Sequence, residues 1–343
     1  MMTSFMTIHG FVVLMRRWHG PRRRTLDNKM SCCWSGLFRP FAEHTYVRLN
    51  ETGWMKPLPL QEDLRCQVSD DAHGKKVHIT VKALQGLSAD SPISYARIVL
   101  METTGSSSII SNDGLHALNI LVFPHPNSDL PLWGVSFAKT PTVPSMTMLT
   151  LDAQIMNDTA DYADVFREWH SRHVRDQPHL PWGGPFRAAV QPYMSEYVLW
   201  SKLLEKKNLS NKTRSHIRRQ QQKQQQQLYN HSNTDINATS TITSTSPPTD
   251  IVQNQVWDAY REHLDIYLRL IQEYAVHVEN NNTYSSVNPR HAKYCDFWRY
   301  NEPERSTLQT LFGKQWTERL LWQVMFPTSS NGNNGVMHDS TLD

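Results

Sequence analysis

The chain has no stretch that could cross a membrane as a helix. Its longest apolar candidate, Phe11 to Met15, falls far short of the roughly 18 residues a span needs, so no membrane partner is expected. Cysteine is scarce as well. Four occur, Cys32, Cys33, Cys66 and Cys295, and none belongs to a CxxC pair. That spacing argues against a zinc or iron–sulfur ligand set and for unpaired thiols in a reduced compartment. Nucleotide and hydrolase signatures are missing too, since the sequence contains no GxGxxG, P-loop, GxSxG or HExxH. His170 and His173 sit three apart, but no third ligand stands at a fixed spacing, and they read as surface histidines with no metal.

Positive charge is missing from most of the chain. Residues 1–30 carry six cations (Arg16, Arg17, Arg22, Arg23, Arg24 and Lys29) against the single acid Asp27. The net charge of the whole is only +3, so the remainder is slightly acidic and offers no excess of cations to a nucleic-acid backbone. Arg-rich and acid-poor, the leader (residues 1–40) reads as a transit peptide for a plastid, with a disordered start as the plainer alternative.

What is present is enough for a core: 39% of the residues are hydrophobic, with 11 Trp, 12 Tyr and 11 Phe, which rules out wholesale disorder. One discontinuity breaks the body. From about residue 205 to 250 a charged run passes into glutamines 220–222 and 224–227 and then a Ser/Thr/Asn tract. Such a composition cannot bury enough apolar area to offset the entropy of ordering, so a flexible insertion is expected. The tail 328–343 reads the same way, leaving a single domain over 41–327.

Within that domain two textures alternate. The apolar runs Val77–Val81, Ala96–Met101, Leu118–Phe123, Leu132–Phe137 and Met146–Leu151 are separated by gaps too short for crossover helices, which predicts an antiparallel meander. Trp257, Tyr260, Leu264, Tyr267, Ile271, Tyr274 and Val278 step by three and four, which predicts a long amphipathic helix. Asp161–Val174, Pro192–Leu204, Pro289–Tyr300 and Gln315–Met325 also favour helix. Strands this apolar need cover on both faces, so the expected fold is α/β, a three-layer α/β/α sandwich with a central antiparallel sheet.

Three strings carry a resemblance. They are Ala117 to Gly134 with its Phe-Pro-His-Pro turn, Leu180-Pro-Trp-Gly-Gly184 with Gln191-Pro-Tyr and Leu199-Trp200, and Tyr294 to Pro303 with Phe312-Gly-Lys-Gln-Trp316 and Val324-Met-Phe326. In this order they resemble the ferredoxin-dependent bilin reductases. The resemblance implies a bilin held between the sheet and the C-terminal helices. It implies electrons from reduced ferredoxin, taken one at a time, and no bound cofactor. The substrate is biliverdin or a dihydrobiliverdin. The segment from Trp182 to Tyr193 looks most like the enzymes that make phycoerythrobilin, then phytochromobilin synthases. A bilin-binding carrier without turnover is the alternative from another class. A monomer is expected.

Candidate site residues follow from strand alternation and from the resemblance. Reduction by two electrons and two protons needs acids with pKa values drawn toward neutrality, which burial supplies. Glu102 shares a strand face with Ile98 and Leu100 and falls where the family places an acid; a strand-end glutamate is the plainer reading. Asn119, on the most apolar strand, occupies a position over the bilin centre, where it can orient but not protonate. Ser136 stands where several family members carry an aspartate, with bland filler of the sheet as the plainer reading. Glu302 takes the place of the aspartate in the family's Asp-Pro turn, or is a helix cap beside Pro303. Arg97, Arg175 and Arg299 are candidates for the bilin propionates. Lys293, Arg299, Arg305, Lys314 and Arg319 suggest a basic face for an acidic ferredoxin.

Overall fold

The computed structural model describes residues 36–71, 74–104, 114–126, 128, 130–140, 145–154, 162–177, 179–204, 248–281 and 289–327. The chain divides into Met1–Trp34 and Ser35–Asp343, and every described residue belongs to the second unit. The leader up to residue 35, most of the insertion (205–247) and the tail 328–343 lie outside the described residues.

Eight strands form one antiparallel sheet, the architecture the apolar runs predict. They are β1 (Met55–Pro57), β2 (Cys66–Asp70), β3 (Lys76–Gly86), β4 (Ile93–Thr104), β5 (His116–Pro124), β6 (Leu132–Thr140), β7 (Met146–Gln154) and β8 (Leu199–Leu204). The order runs β1-β3-β4-β5-β6-β7-β8, with β2 pairing the other end of β3. Successive side chains point to opposite faces, and the register fixes which residues share one. Val99, Asn119, Ser136 and Thr150 lie in one row across β4 to β7, and His78, Glu102, His116 and Lys139 in another across β3 to β6.

One face carries Val77, Ile79, Val81, Val99, Met101, Ala117, Leu121 and Phe123. They pack beneath Tyr294, Trp298, Leu308, Trp316, Leu320, Leu321, Val324, Met325 and Phe326. Those belong to α6 (Pro289–Asn301), α7 (Arg305–Phe312), α8 (Lys314–Leu320) and the π-helical turn Leu321–Met325. The other face is covered by α1 (Arg39–Glu51) and by the long helix α5 (Trp257–Asn281), which follows the short α4 (Pro248–Ile251) and a π-helical turn. Its aromatic seam joins Phe38, Phe41, Trp133, Phe137, Tyr260 and Tyr267. Tyr260, Leu264, Tyr267 and Ile271 are fully buried, the stripe that the three-and-four spacing predicts. Each such side chain contributes about 1.5–3 kcal/mol of burial.

Three boundaries differ from expectation. Phe38 is fully buried against Phe41 and Phe137, so the folded unit begins before residue 41. Ile251 and Val252 are buried and Pro248 opens α4, so the insertion ends a few residues before 250. The helix expected over Pro192–Leu204 is instead a single 3₁₀ turn, Gln191–Tyr193, followed by β8. Leu199, Ser201 and Leu203 alternate inward along β8, and β8 supplies partners to the backbone of β7 that a helix would leave unpaired.

The Trp-Gly-Gly string explains itself at this edge. The Gly183 amide donates to the Trp200 carbonyl at 2.9 Å, and a Cβ on Gly183 would stand 2.4 Å from the Trp200 ring. Gly184 takes φ +97°, which favours glycine, and its carbonyl accepts from the Trp200 indole at 2.7 Å. The string builds a tight corner under an indole.

Candidate active site

Arg97 organises the face beneath the C-terminal helices. It extends from β4, is 2% exposed, and has no water to solvate it, so it must find partners in the protein. Its Nε donates to the Met325 carbonyl at 2.7 Å and its Nη1 to Asn119 Oδ1 at 2.8 Å, and the guanidinium lies over the Phe326 ring. Burial lowers its pKa, and the negative charge of Glu302 opposes that fall. Asn119 is therefore an acceptor fixed by the arginine, and Ser136 stands directly beside it across the β5–β6 ladder.

Glu302 comes from the turn between α6 and α7 and is 8% exposed. Burial first, and the neighbouring Glu304 second, push its carboxyl up to about 8, against the pull of Arg97 and of the Glu304 amide that it accepts from. Glu304 opens α7, and its pKa is raised by burial against the pull of Arg97. A small cavity of about 10 Å³ lies here, lined by Ile79, Val99, Met101, Ala117, Asn119, Glu304, Leu308 and Met325. Ligand pockets span about 300–1,000 Å³, so a tetrapyrrole enters this layer only if the C-terminal helices part from the sheet. The contacts that hold them down are identifiable. The Tyr95 hydroxyl donates to the Val324 carbonyl at 2.8 Å and Arg97 to that of Met325, while within the covering layer Arg299 Nε donates to the Phe326 carbonyl at 2.6 Å.

The structure thus brings together Arg97, Asn119, Ser136 and Glu302, with Arg299 fixed to the covering segment. Two other candidates it separates from them. Glu102 shares its strand face with Ile98 and Leu100, as alternation requires, but that face lies under α1, on the opposite side of the sheet from Asn119. There it is 7% exposed, with Oε1 unpartnered beside the likewise unpartnered Nδ1 of His116. Burial raises its pKa to about 7 and lowers that of His116 to about 4, which favours the neutral form of each. Arg175 is exposed, pairs with Asp176 at 3.1 Å, and lines a separate groove of about 510 Å³ with His170, Trp182, Glu196 and Trp200.

The basic face also shrinks. Arg299 is buried, Arg305 pairs with Glu318 and Arg319 with Asp63 at 2.7 Å, leaving Lys293 and Lys314 exposed. His173 bonds Glu262 at 2.7 Å, and among the described residues no group of three His, Cys, Asp or Glu side chains could hold a metal ion.

Two acids on the Arg97 face escaped the sequence reading. Asp152 on β7 is fully buried, accepts from the Ser195 amide at 2.9 Å and from the Ser195 hydroxyl, and is pushed up to about 7 by burial against those bonds. An acid inside an apolar strand was its signal. Glu304 is the other, and its signal was a second acid immediately beyond the Glu302-Pro303 turn.

Comparison with known proteins bears on this arrangement. A family model described as ferredoxin-dependent bilin reductase matches residues 215–327. Phycoerythrobilin:ferredoxin oxidoreductase of Nostoc punctiforme is 21% identical over 297 residues, covering 84% of this chain and 92% of the relative. The enzyme of the same name from Prochlorococcus marinus is 24% identical over 79% of this chain and 86% of the relative. Among solved structures, tomato phytochromobilin synthase in complex with biliverdin shares the fold at a TM-score of 0.55 and 16% identity, covering 84% of this chain and 82% of that one.

Proposed function

We propose, for a chain that belongs to the ferredoxin-dependent bilin reductase family, the reduction of 15,16-dihydrobiliverdin or biliverdin to a phycobilin such as phycoerythrobilin. The protein is an oxidoreductase that reduces bilins at the expense of ferredoxin. The finer reading of substrate and product rests on the phycoerythrobilin-forming relatives, and the observation that carries the site is the buried cluster of Arg97, Asn119 and Glu302 under the C-terminal helices.

Our reading of the chemistry follows from that cluster. Each electron from reduced ferredoxin makes the bilin more basic, and a nearby acid then gives it a proton. Glu302 is suited to this because burial keeps its carboxyl protonated near neutral pH. Arg97, held by Asn119, offsets the carboxylate left behind and is placed to attract a propionate once the covering segment lifts. Asn119 carries no ionisable proton and only orients. Ser136 gives this chain a neutral group at the centre, so the acid work falls to the C-terminal turn. We read the protein as working without a bound cofactor, and a flavin spectrum in the purified protein would overturn that. The Arg-rich leader supports a plastid address, which a fusion of residues 1–40 to a reporter would test.

The decisive experiment is an anaerobic assay with reduced ferredoxin, biliverdin and 15,16-dihydrobiliverdin being offered separately and products read by absorbance and chromatography. Conversion of dihydrobiliverdin to phycoerythrobilin is expected, falling as pH rises through about 8, where Glu302 loses its proton. Conversion of biliverdin to phytochromobilin would instead place the chain with the phytochromobilin type. Binding without turnover would make it a carrier.

A further inference from the structure

We propose that Glu304 is a second catalytic acid of this site, delivering one of the two protons of the reduction as the partner of Glu302. The inference rests on the reading that a bilin is reduced against this face of the sheet.

Position is the first argument. Glu304 is the residue before α7, where a side chain commonly accepts from the open amides of the first turn. Its carboxyl makes no such bond. It lines instead the cavity between the sheet and the helices, together with Asn119, Val99, Met101 and Leu308. Glu302 stands differently: its carboxyl accepts from the Glu304 amide. So Glu302 performs the local capping, and Glu304, two residues on, presents its acid beside Asn119.

Electrostatics is the second. Both carboxyls are close enough to feel each other and both face the Arg97 guanidinium. Like charges in one buried space cannot both ionise readily, so the pair retains proton at neutral pH. Two acids also match the stoichiometry. The first electron, lost by one reduced ferredoxin, gives a bilin radical anion. One carboxyl O–H breaks and its proton bonds to the bilin, giving a neutral radical. The second electron and the second carboxyl's proton complete the reduction. A proton from solvent returns each carboxylate to its acid form as it is spent, two protons in all, with Arg97 beside the pair, and two oxidised ferredoxins remain.

The test compares the full-length parent with Glu304→Gln, Glu302→Gln and the double variant in single-turnover reduction across pH 6–9, bilin binding being measured by absorbance. Glu304→Gln is expected to bind bilin within a few-fold of the parent and to slow reduction by roughly 10²–10⁴-fold, with a bilin radical accumulating in its electron paramagnetic resonance spectrum. The residual activity should lose its alkaline limb at a lower pH than in the parent, because Glu302 no longer has a like charge beside it. The double variant should be little slower than the worse single one, as for groups that act as a unit. Glu304→Asp, which keeps the acid, should recover part of the rate and serves as the readout if the glutamine variant folds poorly. Parent-like rate and pH profile in Glu304→Gln would overturn the role of Glu304 while leaving the bilin reductase reading intact. A parent that reduces neither bilin would overturn both.

Discussion

The two faces of the sheet bury ionisable groups in different ways. Under α1 and α5 a lysine, Lys139, is buried in the row of Glu102 and His116, while burial favours the neutral forms of the acid and the histidines there. His263 accepts from the Trp133 indole at 2.8 Å, and burial lowers its pKa to about 3. Burial favours the neutral forms of Glu102 and His116, which lie beside each other, and the surroundings are aromatic. Under the C-terminal helices a fully buried cation, Arg97, is held among acids, an amide and the carbonyls of a covering segment. Burying a charge costs several kcal/mol unless it is well paired, and hydrophobic residues of similar size would stabilise the layer at least as well. A cluster of that kind supports the proposed site on this face, and among the described residues the α1 face holds no comparable grouping of acids around a buried arginine.

Substitutions that break this contrast should differ in size accordingly. Arg97→Met should be the most damaging to the fold. It strips one hydrogen bond and a ring contact from the covering segment and a second hydrogen bond from Asn119, and it leaves Glu302 and Glu304 without their cation. Losing one partner from such a buried cluster costs about 3–5 kcal/mol, toward the lower figure here because both acids can take up protons. Chemical denaturation with and without bilin would measure it.

Gly183→Ala comes next and tests the corner rather than either face. The new methyl would meet a Trp200 ring that stacks on Phe186 and is tied to Gly184, so a loss of about 1–3 kcal/mol is expected. Turnover per folded molecule should be unchanged, and melting measured together with active-site titration separates the two.

Glu102→Gln should have the opposite sign, with an effect confined to high pH. In the folded chain Glu102 keeps its proton up to about pH 7, while in the unfolded chain it loses it near the ordinary glutamate value of 4.5. Unfolding therefore releases a proton between those values, and the parent loses stability as pH rises through that window. His116, lowered to about 4, contributes the reverse slope between about 4 and 6.5, so the two partly cancel there. The glutamine variant removes the first slope. It should match the parent near pH 4.5 and be more stable at pH 8 by on the order of 1–3 kcal/mol, read from melting curves at the two pH values.

The sheet was legible because its strands are long, apolar and separated by short gaps, and α5 because its stripe repeats over several turns. The part before Val77 was not. In α1 the buried positions Phe41, Ala42, Thr45 and Leu49 include a threonine and are interrupted by charges, and β1, the short helix Glu62–Arg65 and β2 are each five residues or shorter. β8 was misread because its six residues, Leu199 to Leu204, directly follow a proline- and tyrosine-containing turn, and six apolar-alternating residues do not by themselves separate strand from helix. Within the site, Arg97, Asn119 and Glu302 could be named from the sequence, but not the face each would share. Glu102 and Asn119 lie on adjacent strands at unlike parity, and only the β4–β5 register, which pairs Glu102 with His116 and Val99 with Asn119, puts the sheet between them.

The division of labour between the faces is tested most directly by one rate ratio: single-turnover bilin reduction by Glu302→Gln against that by Glu102→Gln, at pH 7 and saturating bilin. With the acid chemistry confined to the C-terminal face, Glu302→Gln should be slower by roughly 10²–10⁴-fold and Glu102→Gln should stay within about two-fold of the parent, because its side chain lies on the far side of the sheet from Asn119. A slow Glu102→Gln beside a parent-like Glu302→Gln would contradict it and move the proton donor to the α1 face.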